Sequence, residues 1–419
     1  MDNMNGTQLY GWSRWFVLLQ MGFNHEMRGL PLRKKLALNH LFRESKLTRI
    51  ENKTYFNAFI PYYPSHAYDR FLKGVKAVCS GYPIPVITNT AVNNDVPSSY
   101  RPGDPLDMPR NNPPDSATIG RIIEDAQELG TSVIGIKGGE PLLRNDLEEI
   151  IAAVDERSMP ILFTTGFGLT PKRVTALKQA GLEIPVISLN HYRPQDHDSG
   201  GKEGMFDTAL KAIRLFREEG SYVAVSLAPH MEMVKNPKEL YRTVRFFKDL
   251  GVNHVRLAKT VPQEGASFNS QEESVAQAHT RTIFNLQKMC MKTPEYPGAF
   301  AHDYFESEAC FGCGAGYNYM YVDARGNVYP CDFTGLSFGN IHDTSLMEIW
   351  HETSRAFSAP GRTCYADKCR ALLKDINPGK WPVTGEDARQ IVSMCPTHDP
   401  EQLPKFFRRM GLHLLQRRD

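Results

Sequence analysis

Two groups of residues in this chain have types and spacing suited to chemistry. The first is its cysteines. Eight are present, and six of them (Cys310, Cys313, Cys331, Cys364, Cys369 and Cys395) follow a stretch from Ser80 to Met289 that has none. In a chain of this length such clustering favours thiolate ligation of a metal over disulfides. Cys79 and Cys290 sit in apolar helical contexts and read as buried core thiols. The second group is the segment IKGGEPLLRNDLEEI, residues 136–150. Gly138 and Gly139 at a strand end let a ligand approach the backbone, and Glu140 adds a carboxylate there. Taken alone, the tripeptide equally describes a tight strand-to-helix turn.

These residues need a scaffold, and its pattern begins at Pro83. Apolar strands at 83–90, 133–137, 160–164, 185–189, 222–228 and 254–258 are each followed by an amphipathic helix. In the helix near 116–129, Ile119, Ile122, Ile123, Ala126 and Leu129 form one apolar stripe, with Asp115 or Ser116 as its cap. Gly130, Gly181, Gly220 and Gly251 repeat one stop signal before each new strand. Repeated units of this length predict an α/β fold with a parallel sheet and right-handed crossovers. Six of them predict a partial (β/α)6 barrel, with ligands at the carboxyl ends of the strands. Residues 1–80 read as an N-terminal helical extension, and 81–295 as the barrel. Residues 296–380 are rich in glycine, aromatics and cysteine, and YMYVDARGNVYPC reads as a hairpin turning at Ala324–Gly326. A tail, 381–419, ends in the basic amphipathic stretch KFFRRMGLHLLQRRD, read as a helix packed on the domain with solvated arginines.

Segment 83–103, PIPVITNTAVNNDVPSSYRPG, resembles the strand and cluster-binding loop of radical S-adenosylmethionine (SAM) enzymes, but without the three cysteines of that loop. Val96, Tyr100 and Gly103 stand at those positions, and the alternative register of Ala91, Asp95 and Ser98 also lacks thiols. GGEPLL matches the family's second-strand turn, which implies that Gly138, Gly139 and Glu140 bind the methionyl amino group of SAM. Lys137 precedes them where the family usually has a small residue or threonine. It reads as a replacement for lost cluster charge, as a proton donor, or as an ion-pair partner of Glu140. The resemblance further places Ser188 and Asn190 at the SAM pocket, with Thr164 and Thr165 beside them; the plainer reading is that all four satisfy strand-end backbone groups. CGAG…RGNVYPC and FGNIHDTSLMEIW resemble the SPASM/twitch extension, an α+β auxiliary iron–sulfur domain. Cys313, Cys331, Cys364 and Cys369 then become ligands of one auxiliary 4Fe–4S cluster, with zinc as the chemical alternative.

Composition sets outer bounds. Charged residues at 23% and hydrophobic residues at 41% are ordinary for a soluble globular protein. A net charge of +2 argues against general nucleic-acid binding. Trp12–Met21 is too short for a membrane span and contains Arg14, so a cytoplasmic protein without membrane contact is expected. Trp12, Trp15 and Phe16 read as an interface or, the favoured use, as docking on the barrel. The functional expectation is an enzyme that binds SAM but uses it in a polar group transfer or cyclisation. Lys137, Tyr100 and Glu140 would then bind and move protons on a small-molecule or peptide substrate. The alternative is a silent relative that binds a peptide, a metabolite or a protein partner.

Overall fold

The structure, a computed structural model, describes residues 6–43, 45–93, 113–199, 203–229, 233, 236–258, 270–376, 382–395 and 402–412. The N-terminal region is not purely helical. β1 (Thr7–Gln8), β2 (Thr48–Ile50) and β3 (Lys53–Tyr55) form a small antiparallel sheet around α1 (Gly11–Gly22) and α2 (Leu32–Arg43). Thr48 and Ile50 flank Arg49 in a short β-branched alternation, a signal easily lost between two longer helical patterns. After β3 comes α3 (His66–Val78), capped by Ser65, whose hydroxyl accepts from Tyr68 N–H.

The main sheet carries the expected alternation. β4 (Ile87–Ala91), β5 (Val133–Lys137), β6 (Met159–Thr164), β7 (Ile184–Ser188), β8 (Ala224–Leu227) and β9 (His254–Leu257) pair in parallel, each beside the next. β4 begins later than expected because Pro83 and Pro85 have no N–H to donate to a ladder. Between the strands run α4 (Ser116–Glu128), α5 (Leu147–Ala152), α6 (Pro171–Gln179), α7 (Met205–Glu218) and α8 (Pro237–Asp249). α4 is capped by Asp115 as expected. Gly130 takes φ +111°, the conformation its stop signal requires.

The sheet extends beyond six strands. After α9 (Ser270–Lys292), β10 (Gly298–Ala301) adds in parallel to β9. At the other edge β11 (Tyr319–Val322) adds in parallel to β4, followed by antiparallel β12 (Asn327–Tyr329) and β13 (Gly339–Asn340). The expected hairpin thus extends the barrel sheet, and ten strands run continuously across the 295/296 boundary. The sheet is curled. Phe300 of β10 and Asn89 of β4 line one cavity, although six strand spacings in a flat sheet would separate them by about 28 Å. α10 (Leu346–Ala356), α11 (Tyr365–Ile376), α12 (Gly385–Met394) and α13 (Lys405–Met410) complete the chain.

Strand alternation divides the core in two. Ile134, Ile136, Leu162, Ile187 and Val225 face outward into the helices. Val133, Ile161, Val186 and Ala224 face inward, where Tyr55 and Phe59 plug the amino-terminal end. α13 buries Phe406, Phe407 and Met410, packs on α2 and leaves Arg408 and Arg409 in solvent, as the tail pattern implied. Trp12, Trp15 and Phe16 do not dock. α1 instead uses Val17 and Met21 as its inner face, and the aromatic residues point outward.

His254 lies at the closed end of the barrel, fully buried, with neither ring nitrogen hydrogen-bonded among the described residues. Burial pushes its pKa down from 6.5 to about 3. Between those values the unfolded chain binds a proton that the folded chain does not, so stability falls as pH falls. Urea titrations should show wild type losing up to about 1.4 kcal/mol per pH unit below pH 6.5 relative to His254→Leu.

Candidate active site

β5 ends in Lys137, which points inward, and the chain then turns at Gly138 with φ +148°. A Cβ on Gly138 would lie 2.4 Å from the Asn93 carbonyl, so glycine is required by the neighbouring backbone itself. The turn is stitched to the end of β4. Val92 N–H donates to Lys137 O at 2.8 Å, Gly139 N–H to Asn93 O at 3.0 Å, and Asn93 Nδ2 to Glu140 O at 2.9 Å. Arg144 donates from Nη1 to Val92 O at 2.7 Å and to Pro114 O at 2.9 Å, tying together the two flanks of segment 94–112. Val96, Tyr100 and Gly103, with Asp95 and Ser98 of the alternative register, lie outside the described residues.

The turn swings Glu140 away from the lumen. Its carboxylate is fully buried and accepts from Leu142 N–H at 3.0 Å, Thr164 Oγ1 at 2.5 Å, Thr165 N–H at 2.7 Å and Thr165 Oγ1. Thr165 therefore joins Glu140, and the ion pair of Lys137 with Glu140, one of the three readings of that lysine, does not form. Strand alternation sends residue 137 inward, while the glycine turn directs residue 140 to the end of β6. Replacing Glu140 by alanine leaves these buried donors unsatisfied and should cost about 2–4 kcal/mol in chemical denaturation. Glu140→Gln, which keeps an acceptor, should lose less. Ser188 stands half-buried on the inner face beside Ser226. Asn190 is held by its own loop: its N–H donates to His197 Nδ1 at 3.1 Å, and its Oδ1 accepts from Ala228 N–H at 3.0 Å.

The partner of Lys137 is Asp332, directly after Cys331. Tyr319 donates its hydroxyl to Asp332 Oδ1 at 2.6 Å, and Asn89 Nδ2 donates to the Tyr319 hydroxyl. Gly135 leaves the space Asn89 fills, since a Cβ there would sit 1.9 Å from Asn89 Oδ1. Burial opposes ionisation of Asp332, but Lys137, then Tyr319 and Arg256, outweigh it and hold the carboxyl well below its usual range. Arg256, from β9, donates from Nη1 to Ser226 Oγ at 3.0 Å and lies 3.1 Å from His302 Nε2 through Nη2. Its Nε is buried without a hydrogen-bond partner among the described residues. None of Asp332, Tyr319, Asn89 and Arg256 was singled out from the sequence. The available signals were polar Asn89 inside an apolar strand and an aspartate abutting a candidate ligand.

This network borders a cavity of about 170 Å³, whose wall includes Asn89, Arg256, Asp332 and the thiols Cys313, Cys331 and Cys364. Burial, then Cys364, pushes Cys313 up to about 12; burial, then Cys313 and Cys364, drives Cys331 up as well. Soft donors that oppose one another's ionisation suit a bound cation, which relieves that cost. Cys369 is buried in the same apolar cluster as Cys313, with Cys395. Among the described residues no three His, Cys, Asp or Glu side chains are drawn to metal-ligand geometry. Cys79 and Cys290 are buried, with thiols pushed up to about 12 by burial.

The fold is a mixed α/β architecture with a parallel sheet, and two parts of the chain match family models. Residues 99–247 match the Radical SAM superfamily, and 313–371 match SPASM, the iron–sulfur cluster-binding domain. The chain is 27% identical over 270 residues to a PqqA peptide cyclase of Ruegeria pomeroyi, covering 61% of this chain and 71% of that one. It is 26% identical over 306 residues to a PqqA peptide cyclase of Gluconobacter oxydans, covering 68% and 83%. Its fold resembles that of SuiB from Streptococcus suis bound to precursor peptide SuiA, with TM-score 0.51, 16% identity and coverage of 77% and 80%. The Radical SAM match and the two peptide cyclase relatives overturn the expectation of a polar use of SAM or a silent scaffold and point to a radical SAM enzyme. Among the described residues no helix is long and apolar enough to cross a membrane.

Proposed function

We propose that this chain is a radical SAM enzyme that modifies a peptide. The observation that carries the reading is the cavity where the parallel sheet and the cysteine region meet, lined by Asp332, Arg256 and three thiols. The peptide cyclase relatives support a peptide as substrate. Cys313, Cys331 and Cys364, with Cys369 as fourth ligand, would hold an iron–sulfur cluster, whose contribution when bound is one-electron transfer. Segment 83–103 has no cysteine and does not fit a second cluster, and Cys79 is buried at the end of α3, so the reductant's electron would reach SAM through the Cys313, Cys331 and Cys364 site.

The remaining roles belong to the chain's own side chains. Asp332, kept ionised at the cavity wall, presents a fixed negative charge that orients the substrate. Lys137 and Tyr319 fix its position, and Arg256 with His302 binds a peptide carbonyl or carboxylate. Phe59, Phe300 and Phe305 exclude water from the cavity. Thr165, Ser188 and Asn190, with the turn at Gly138 and Gly139, are proposed to face SAM at the carboxyl ends of the strands.

The test is anaerobic incubation of cluster-reconstituted protein with SAM, a reductant and a synthetic PqqA peptide. Reductant-dependent loss of SAM with a changed peptide mass is the expected result. SAM left intact in cluster-loaded protein overturns the radical reading, and SAM loss with the peptide unchanged overturns the substrate assignment.

A further inference from the structure

α1 has two apolar faces, and only the inner one is used. Trp12, Trp15, Phe16, Leu19 and Phe23 recur at helical spacing on the outer side. They are strongly exposed, Trp12 at 84% and Phe23 at 72%. Isolated exposed apolar residues are ordinary, but a stripe of four bulky ones on one helix, continued by Phe23 at its cap, is not. On α2, Leu32 and Leu36 form a second exposed ridge. Helical geometry sets Arg33 on one side of this ridge and Lys35 on the other.

The charge of this region is distinctive. Residues 6–43 carry Arg14, Arg28, Arg33, Lys34, Lys35 and Arg43 against Glu26 alone, a net +5. The whole chain is only +2, so the remainder is −3. Tyr10 and Arg14, at the root of α1, also border an open cavity of about 330 Å³ with Lys46, Lys288 and Lys292.

We propose that the outer face of α1 and the Leu32–Leu36 ridge dock onto an anionic membrane surface. Tryptophan and phenylalanine side chains enter the headgroup boundary, while flanking arginines and lysines meet lipid phosphates. Charge selects this occupant over a second copy, because two such faces would set Arg33 and Lys35 of each against the same residues of the other. Exposure selects it over a peptide: side chains as open as Trp12 form a projecting surface, whereas peptide recognition uses grooves and sheet edges. The association is peripheral and independent of the chemistry in the barrel.

The test is flotation of the full chain with phosphatidylcholine vesicles, with and without phosphatidylglycerol, at low and high salt. Binding should rise about tenfold or more with the anionic lipid and fall with salt. Tryptophan emission should shift to the blue, and Trp12→Ser/Phe16→Ser or Arg33→Glu/Lys35→Glu should abolish binding with circular dichroism unchanged. Absence of vesicle binding by the unsubstituted chain overturns the proposal without reference to any variant. So does binding that is indifferent to lipid charge. Dimerisation lost in Trp12→Ser would assign the face to a second copy, and capture of an acidic peptide without vesicle binding would assign it to a protein.

Discussion

Replacing Asp332 by alanine is expected to cost about 3–5 kcal/mol of stability and to abolish peptide modification. The ion pair with Lys137 is largely buried, the two side chains being 12% and 26% exposed. Removing the carboxylate strands the Lys137 ammonium, leaves the Tyr319 hydroxyl without its acceptor and leaves Arg256 without the charge that offsets its burial. Deleting both ends of the pair is less damaging than deleting one, because the cost lies in the unpaired charge. Lys137→Met/Asp332→Leu should therefore recover much of the stability in urea denaturation without recovering activity. A double variant no more stable than Asp332→Ala would show that the pair is not the source of the loss. Lys137→Met/Asp332→Asn, which keeps the shape without an unpaired ammonium, separates the two roles: a stable but inactive protein fits a carboxylate whose charge acts on the substrate.

Replacing Cys331 by serine should take iron from about four atoms per chain to near none and remove the cluster's visible absorbance. Cys331 belongs to the set of thiols at the cavity wall. Cluster binding energy is also folding energy where free thiols would otherwise be buried together, so thermal stability should fall with the iron. Cys290→Ser is the control, because Cys290 lies buried on α9 and should leave the iron content unchanged. Zinc in stoichiometric amount in the unsubstituted protein would remove the iron–sulfur assignment while leaving the thiol set in place.

Much of the scaffold was legible beforehand, because it is written in local signals. Period-two apolar runs, 3.6-residue stripes and terminal glycines located six strands and the helices between them. The errors came where the signal was short or non-local. β2 and β3 are three residues each, and β10 and β11 join the sheet only through partners far away in sequence. Glu140 and Lys137 were correctly seen as neighbours in the chain, but which way each points depends on Gly138 and on the end of β4.

The sequence by itself determined the α/β alternation, the Gly-Gly-Glu turn and the concentration of cysteines near the C-terminus, since each depends on residues close together. It also determined that no cysteine lies between Ser80 and Met289. Only the tertiary structure decided that Lys137 meets Asp332, 195 residues away, and that Glu140 is spent on Thr164 and Thr165. Only it decided that the aromatic face of α1 stays in solvent. The physical reason is common to all three. A side chain's partner is set by the curl of the sheet and by the direction its backbone leaves the strand, and neither is encoded within reach of the residue itself.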